Sequence, residues 1–173
     1  MKNSAELINS TNQRFTSKEY LKDIVRVEQI WPQLKEKFGN VIAVNQIHGN
    51  LQDKLSYSEL ALNISYAANA FISLGLKRND VTCLFAENSP RWLIADQGIM
   101  TAGGIDAVRG CDASSEELNY IIEDSKAIGL IVQSDKILEK ITFKDDFKNK
   151  YNFIIQFEGE AREGVLSWND FLE

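Results

Sequence analysis

The chain has 173 residues, 44% hydrophobic and 25% charged, which suits one globular domain with a real core and leaves no room for a disordered or repeat-built chain. Its net charge of −6 excludes a basic face for nucleic acid, and Lys144, Lys148 and Lys150 are diluted by Asp145 and Asp146. No run approaches the ~20 apolar residues of a membrane span. The amino terminus carries no apolar signal core, and Cys83 and Cys111 make no disulfide framework, so the chain is expected to be cytoplasmic and at most peripheral to a membrane.

Residues 1–22 are rich in Asn, Ser, Thr and Lys and read as a polar amino-terminal arm, with 23–173 as the folded portion. The pattern predicts a short helix over Ile30–Phe38, with Pro32 in its first turn and Gly39 past its end. Val41–Ile47 alternates like a strand, His48-Gly49-Asn50 reads as a turn, and a second short strand leads to Leu55. Ser56 to Glu59 has capping-box spacing, and Leu60, Ile64, Ala67, Ala68, Phe71 and Leu74 then line one helical face that stops at Gly75. Val81–Ala86 is an apolar run of the kind buried on both faces of a parallel sheet.

Ser89 and Pro90 are placed as N-cap and first residue of a helix that runs through Trp92, Ala95, Ile99 and Ala102 to Gly103-Gly104. Ile105–Val108 is the next strand, and Ser114 to Glu117 is a second capping box before Leu118, Ile121 and Ile122. Gly129–Val132, a small helix around Ile137–Ile141, and a strand at Phe153–Phe157 complete the series. Strands alternating with helices in this way predict an α/β fold, a layered α/β/α arrangement on a mostly parallel sheet.

Few residues invite chemistry. His48 is the single histidine and sits in a predicted turn, so a Ser-His-Asp or Cys-His apparatus would have to rest on a turn residue, and no serine stands in a G-x-S-x-G; His48 reads as a turn residue, with base catalysis as the lesser alternative. One histidine and two distant cysteines supply no zinc spacing. Gly98 and Gly103 have the glycine spacing of a phosphate loop, but Gly104 stands in place of the lysine and Ile105 in place of Ser or Thr. Glu116 and Glu117 are adjacent on a helix's first turn, where carboxylates complement the helix dipole. Glu87–Trp92 follows a buried strand, where open α/β sheets bind ligands, and reads either as a capped helix start or as a contact for a ligand or neighbouring subdomain. Trp92, Ile94, Ile99 and Met100 point in several directions around one helix and cannot all face one sheet.

The same segments resemble the opening of the AMP-forming acyl-activating enzymes. Leu55-Ser56-Tyr57-Ser58-Glu59-Leu60 is similar to that family's entry to its first long helix. Leu74-Gly75-Leu76 with Asp80 through Phe85 is similar to its next strand, and Asn88-Ser89-Pro90-Arg91-Trp92 to its N-S-x-x-W. Ala102-Gly103 and the helix Glu117-Leu118-Asn119-Tyr120-Ile121-Ile122-Glu123-Asp124-Ser125 continue the match. The stretch from Ala86 to Met100, together with Val108-Arg109-Gly110, resembles the long-chain acyl branch, especially the cyanobacterial and plastid acyl-acyl-carrier-protein synthetases. The likeness runs from about Ile30 to Leu172.

It implies the amino-terminal subdomain of the adenylate-forming synthetase fold. It also implies a full-length enzyme that uses ATP and magnesium to make an acyl-adenylate, then a thioester with coenzyme A or acyl carrier protein. The family's phosphate loop, nucleotide motifs and adenylation lysine are expected beyond these residues. No catalytic, cofactor-binding or metal-binding residue is therefore assigned, the chain is expected to be silent alone, and its expected partner is the remaining portion of a synthetase. The resemblance also implies a surface that packs against later parts of the same domain; if the chain ends naturally at Glu173, that surface is expected to be exposed and apolar, on the helix carrying Trp92, Ile94, Ile99 and Met100.

Overall fold

The computed structural model describes residues 24–47, 53–142 and 150–173. The polar arm, the turn at His48 and the pair Asp145 and Asp146 lie outside the described residues. A 3-10 turn at Val27–Gln29 leads into α1 (Ile30–Phe38), which stops at Gly39 as the sequence predicts. β1 (Ile42–Asn45) and β2 (Lys54–Ser56) pair antiparallel as a separate two-stranded sheet.

Helix α2 (Tyr57–Ser73) starts on a complete capping box. The Glu59 amide donates to Ser56 Oγ at 3.3 Å, and the Ser56 amide donates to the Glu59 carboxylate at 2.8 Å. Leu60, Ile64, Ala67 and Phe71 form its buried face. The chain then alternates: β3 (Val81–Phe85), α3 (Pro90–Thr101), β4 (Ile105–Arg109), α4 (Ser115–Ser125), β5 (Gly129–Val132), α5 (Asp135–Leu138), β6 (Phe153–Gln156), β7 (Leu166–Ser167) and α6 (Trp168–Leu172). Five strands make one parallel sheet in the order β4-β3-β5-β6-β7. The strands at Val81–Phe85, Ile105–Arg109 and Gly129–Val132 are neighbours, with β3 in the middle.

Alternation along each strand divides the core in two. Leu84, Ile131, Phe153 and Ile155 meet α2, α3 and α6 on one face. Cys83, Phe85, Leu130, Val132 and Ile154 meet α4 and α5 on the other. Both faces are covered, so β3 and β5 are almost continuously apolar instead of alternating with polar residues. The closing segment, β7 with α6, has no counterpart among the sequence expectations. It brings Trp168 edge-on to Phe157 at 4.9 Å and Phe171 to Phe71 at 4.6 Å between ring centroids.

One expectation fails. Helix α3 does not present an exposed apolar interface: Ile94 and Ile99 are buried, and Trp92 and Met100 are half-buried. The helix is clasped between α2 and the sheet, and Gly98 makes the clasp close, since a Cβ there would lie 2.8 Å from that of Ala67. Two flanking layers, rather than a missing partner, explain apolar residues on several sides. The exposed apolar side chains stand elsewhere, among them Leu62, Tyr66 and Ile72 on α2 and Ile105 and Val108 on the edge strand β4.

Candidate functional site at the carboxyl edge of the sheet

From β3 the chain crosses to β4 through α3, on the face occupied by α2. From β4 it returns past β3 to β5 through α4, on the opposite face, and α5 stays on that second face. The loops after β3 and β5 therefore part in opposite directions, the arrangement that opens a crevice at the carboxyl ends of a doubly wound sheet.

Polar side chains converge there. The Glu87 amide donates to Gln133 Oε1 at 3.2 Å, and Gln133 Nε2 donates to Glu158 Oε1 at 2.5 Å. Glu87 Oε1 accepts from the Cys111 amide at 2.8 Å, so one carboxylate ties the loops after β3 and β4 together. Arg91, in the first turn of α3, donates to the Phe157 carbonyl and faces Asp53 at 3.8 Å. Burial disfavours the charge on Arg91, and Asp53 and Glu158 counter that effect. Beyond β6, Arg162 pairs with Asp135 at 2.6 Å, and the buried Gln156 donates to the Glu160 carbonyl at 2.7 Å.

Within Glu87–Trp92 the two readings divide by residue. Ser89 caps α3 by accepting from the Trp92 amide at 3.0 Å, Pro90 holds its first position, and Trp92 packs against the core. Those three are scaffold. Glu87 and Asn88 are exposed at the rim, and Asn88, Ser89 and Pro90 join Val44, Asn45 and Gln46 around a cavity of about 340 Å³. Its lining carries amides and a hydroxyl but no charged side chain, so it can orient a neutral or weakly polar group and cannot neutralise phosphate charge.

The other candidates are structural. Gly103, at φ +87, closes the end of α3, and with Gly98 seated against Ala67 both glycines of the phosphate-loop spacing are accounted for. Glu117 is bound by Arg109 (2.6 Å), which also holds Asp112 (2.9 Å); the carboxyl of Glu116 is held below its ordinary pKa by backbone hydrogen bonding and Ser114. Burial pushes both thiols, Cys83 and Cys111, up to about 11, and Glu87 adds to the effect at Cys111. Both therefore stay protonated near neutrality and neither is a poised nucleophile. Among the described residues no cluster of three or more His, Cys, Asp or Glu could hold a metal ion, and no helix is long and apolar enough to cross a membrane.

Sequence reasoning missed Gln133 and Glu158. Both directly follow a buried strand run, and that position was the available signal.

The profile described as "AMP-binding enzyme" matches residues 32–171. The long-chain-fatty-acid–[acyl-carrier-protein] ligase AEE15, chloroplastic, of Arabidopsis thaliana is 34% identical over 134 residues, 78% of this chain and 18% of that protein. The long-chain-fatty-acid–CoA ligase ACSBG2 of Xenopus laevis is 29% identical over 152 residues, 86% of this chain and 21% of that protein. The chain thus spans about a fifth of the length of these relatives. Among solved structures, the N-terminal domain of FACL13 from Mycobacterium tuberculosis superposes with a TM-score of 0.68 at 13% identity, over 84% of this chain and 34% of that one.

Proposed function

Because the chain belongs to the AMP-binding enzyme family, we propose that it is the amino-terminal α/β unit of a fatty-acyl ligase, with residues 23–173 as the synthetase portion. The supporting observation is the profile match over residues 32–171, together with relatives named as fatty-acid ligases. In the proposed reaction a fatty carboxylate attacks ATP, forming acyl-adenylate and releasing pyrophosphate. The thiol of coenzyme A or of acyl carrier protein then displaces AMP to give the thioester. ATP and magnesium belong to that whole reaction.

This unit's share is scaffolding. Neutralising the departing pyrophosphate is the electrostatic core of adenylation and needs preorganised cations and amide donors. Among the described residues, the arginines at the carboxyl edge are already committed: Arg91 to Asp53 and Phe157, Arg162 to Asp135, and Arg109 to Asp112 and Glu117, while Lys140 donates to the carbonyls of Cys111 and Ala113. No catalytic residue is assigned to this chain, and its partner is the remaining portion of the synthetase. The net charge of −6 argues against nucleic acid as a partner and makes this unit a poor docking face for an acidic carrier protein. A cytoplasmic setting fits the same composition.

ATP–pyrophosphate exchange with a fatty acid and magnesium tests the reading. The chain alone should stay at background, and mixing it with the rest of a related synthetase should raise the exchange. Exchange by the chain alone that disappears on mutating one of its own residues would overturn the scaffold role. The second reading, a non-catalytic α/β module that assembles with a separately encoded remainder or binds a small ligand, is favoured by the uncharged 340 Å³ cavity beside Asn88. It gains if mixing restores nothing while the chain alone binds a small amphiphile.

A further inference from the structure

Helices α2 and α4 cover opposite faces of the same sheet, and their outward surfaces differ in kind. On α4 the exposed positions carry Glu116, Glu117, Glu123 and Asp124 beside Tyr120. On α2, beyond Glu59 in its first turn, they are Leu62, Ser65, Tyr66, Asn69, Ile72 and Ser73. No charged residue stands between Glu59 and Lys77. Leu62, Tyr66 and Ile72 are 44%, 50% and 53% exposed. A helix that faces water ordinarily carries charge on its outer side, and charge is what the centre of a protein interface lacks.

Leu62, Tyr66, Asn69 and Ser73 recur at i, i+4, i+7 and i+11, so they form one stripe along the helix. Helices α1, α3 and α6 flank α2 and leave this stripe open among the described residues. The stripe ends in a groove of about 410 Å³ between α2 and α6, which Tyr66, Ala70 and Leu74 line together with Leu166, Phe171 and Leu172. The charged residues of the groove, Asp170 and Glu173, are both acidic.

We propose that this stripe and groove are the surface on which the remaining portion of the synthetase seats. The proposal rests on the reading of the chain as the amino-terminal unit of a fatty-acyl ligase. Two observations choose this occupant. The chain spans about a fifth of the length of the relatives it matches, and Glu173 lines the groove, so any polypeptide joined after Glu173 starts beside it. A second copy of the chain would instead bring another net charge of −6 to the same contact. The partner face is accordingly apolar and uncharged along the stripe, with a basic group opposite Asp170 and Glu173.

Co-expression tests this, using the full 173-residue chain with a tag and the AEE15 ligase of Arabidopsis thaliana without the region it shares with the chain. The wild type and Tyr120→Lys, the same kind of change on α4, should recover the AEE15 portion equally. Recovery should fall about tenfold or more with Leu62→Lys/Tyr66→Lys, since an unpaired ammonium opposes burial. Circular dichroism of the double variant alone should match the wild type, because both positions are exposed. Hydroxyl-radical footprinting of the wild-type complex needs no variant: oxidation of Tyr66 should drop several-fold on association while that of Tyr120 holds. If the double variant does not fold, the footprint decides.

Equal recovery by the double variant, or unchanged Tyr66 oxidation in the complex, would overturn the docking surface and leave the ligase reading standing. No recovery by the wild type would overturn both. Tyr66 protected by self-association of the chain alone, and no further by the AEE15 portion, would assign the stripe to a second copy and overturn the proposal as well.

Discussion

Helices α2 and α4 begin with the same signature, a serine followed three residues later by a glutamate, yet they are wired differently. In α2 both halves of the capping box form between Ser56 and Glu59. In α4 only one forms: the Glu117 amide donates to Ser114 Oγ at 3.2 Å, while the Glu117 carboxylate leaves its own helix for Arg109. A guanidinium at the end of the preceding strand offers two parallel donors, Nε at 2.6 Å and a second nitrogen at 3.4 Å, and it outcompetes a single backbone amide. The serine half of the motif is local and can be read from four residues. The glutamate half depends on which cation the fold brings near.

The core faces should dominate any mutational comparison of the two helices. Ile64→Asp puts a carboxylate into the packed layer between α2 and the sheet and should unfold the chain, as should Leu60→Asp; Tyr120→Asp on the exposed side of α4 should be nearly neutral. Circular dichroism at 25 °C separates these outcomes, and a folded Ile64→Asp would undo the assigned core. Next in size come the caps. Ser56→Ala removes the two bonds of the hydroxyl, from the Glu59 amide and to the Glu59 carboxylate, and should cost about 1–2 kcal/mol, whereas Ser114→Ala removes the cap bond from the Glu117 amide and should cost about 1 kcal/mol or less. Urea denaturation of the two variants side by side measures the difference, and equal losses would mean that the bond from the Ser56 hydroxyl to the Glu59 carboxylate contributes nothing.

The smallest effects concern the carboxylates. Glu59 is held below its ordinary pKa, chiefly by the Ser56 backbone amide. Its contribution should be intact at neutral pH and disappear as the pH falls through that lowered value. Glu59→Gln should remove this acid-limb dependence without altering the α4 side. Arg109→Gln should free Glu117 to reach back to Ser114. Its effect on stability should be visible at low salt and fade at high salt, because the ion pair is exposed. A salt-independent loss would show that Arg109 acts through packing.

What was legible in the sequence was whatever periodicity and punctuation determine locally. Leu60, Ile64, Ala67 and Phe71 announce α2 by spacing, Ser89-Pro90 announces the start of α3, and the apolar runs of β3 and β5 announce buried parallel strands. The errors came where a third element intervenes. Ile94 and Ile99 looked like an interface because a sequence records how many sides of a helix are apolar, and does not record that α2 and the sheet cover those sides. The crevice was half legible: Glu87 stood out beside a capped helix start, whereas Gln133 and Glu158 gained meaning only once strand order set them next to it.

The order β4-β3-β5-β6-β7 also sets a timetable. β3 is the first strand of the sheet to be synthesised and it ends in the interior, so its two flanks are filled at different moments: by β4 after one helix, and by β5 only after a second helix has been made. At about 5–20 residues per second on a ribosome, the β5 side of Val81–Phe85 stays unpaired for several seconds after β3 emerges. During that interval a largely apolar strand shows an open edge, the condition under which parallel sheets fold slowly and attract foreign strands. The nascent chain should therefore be most dependent on chaperones between the appearance of Phe85 and that of Val132. Stalled products ending in this window should aggregate more readily than products ending just past Gln156, when β3, β5 and β6 can close together.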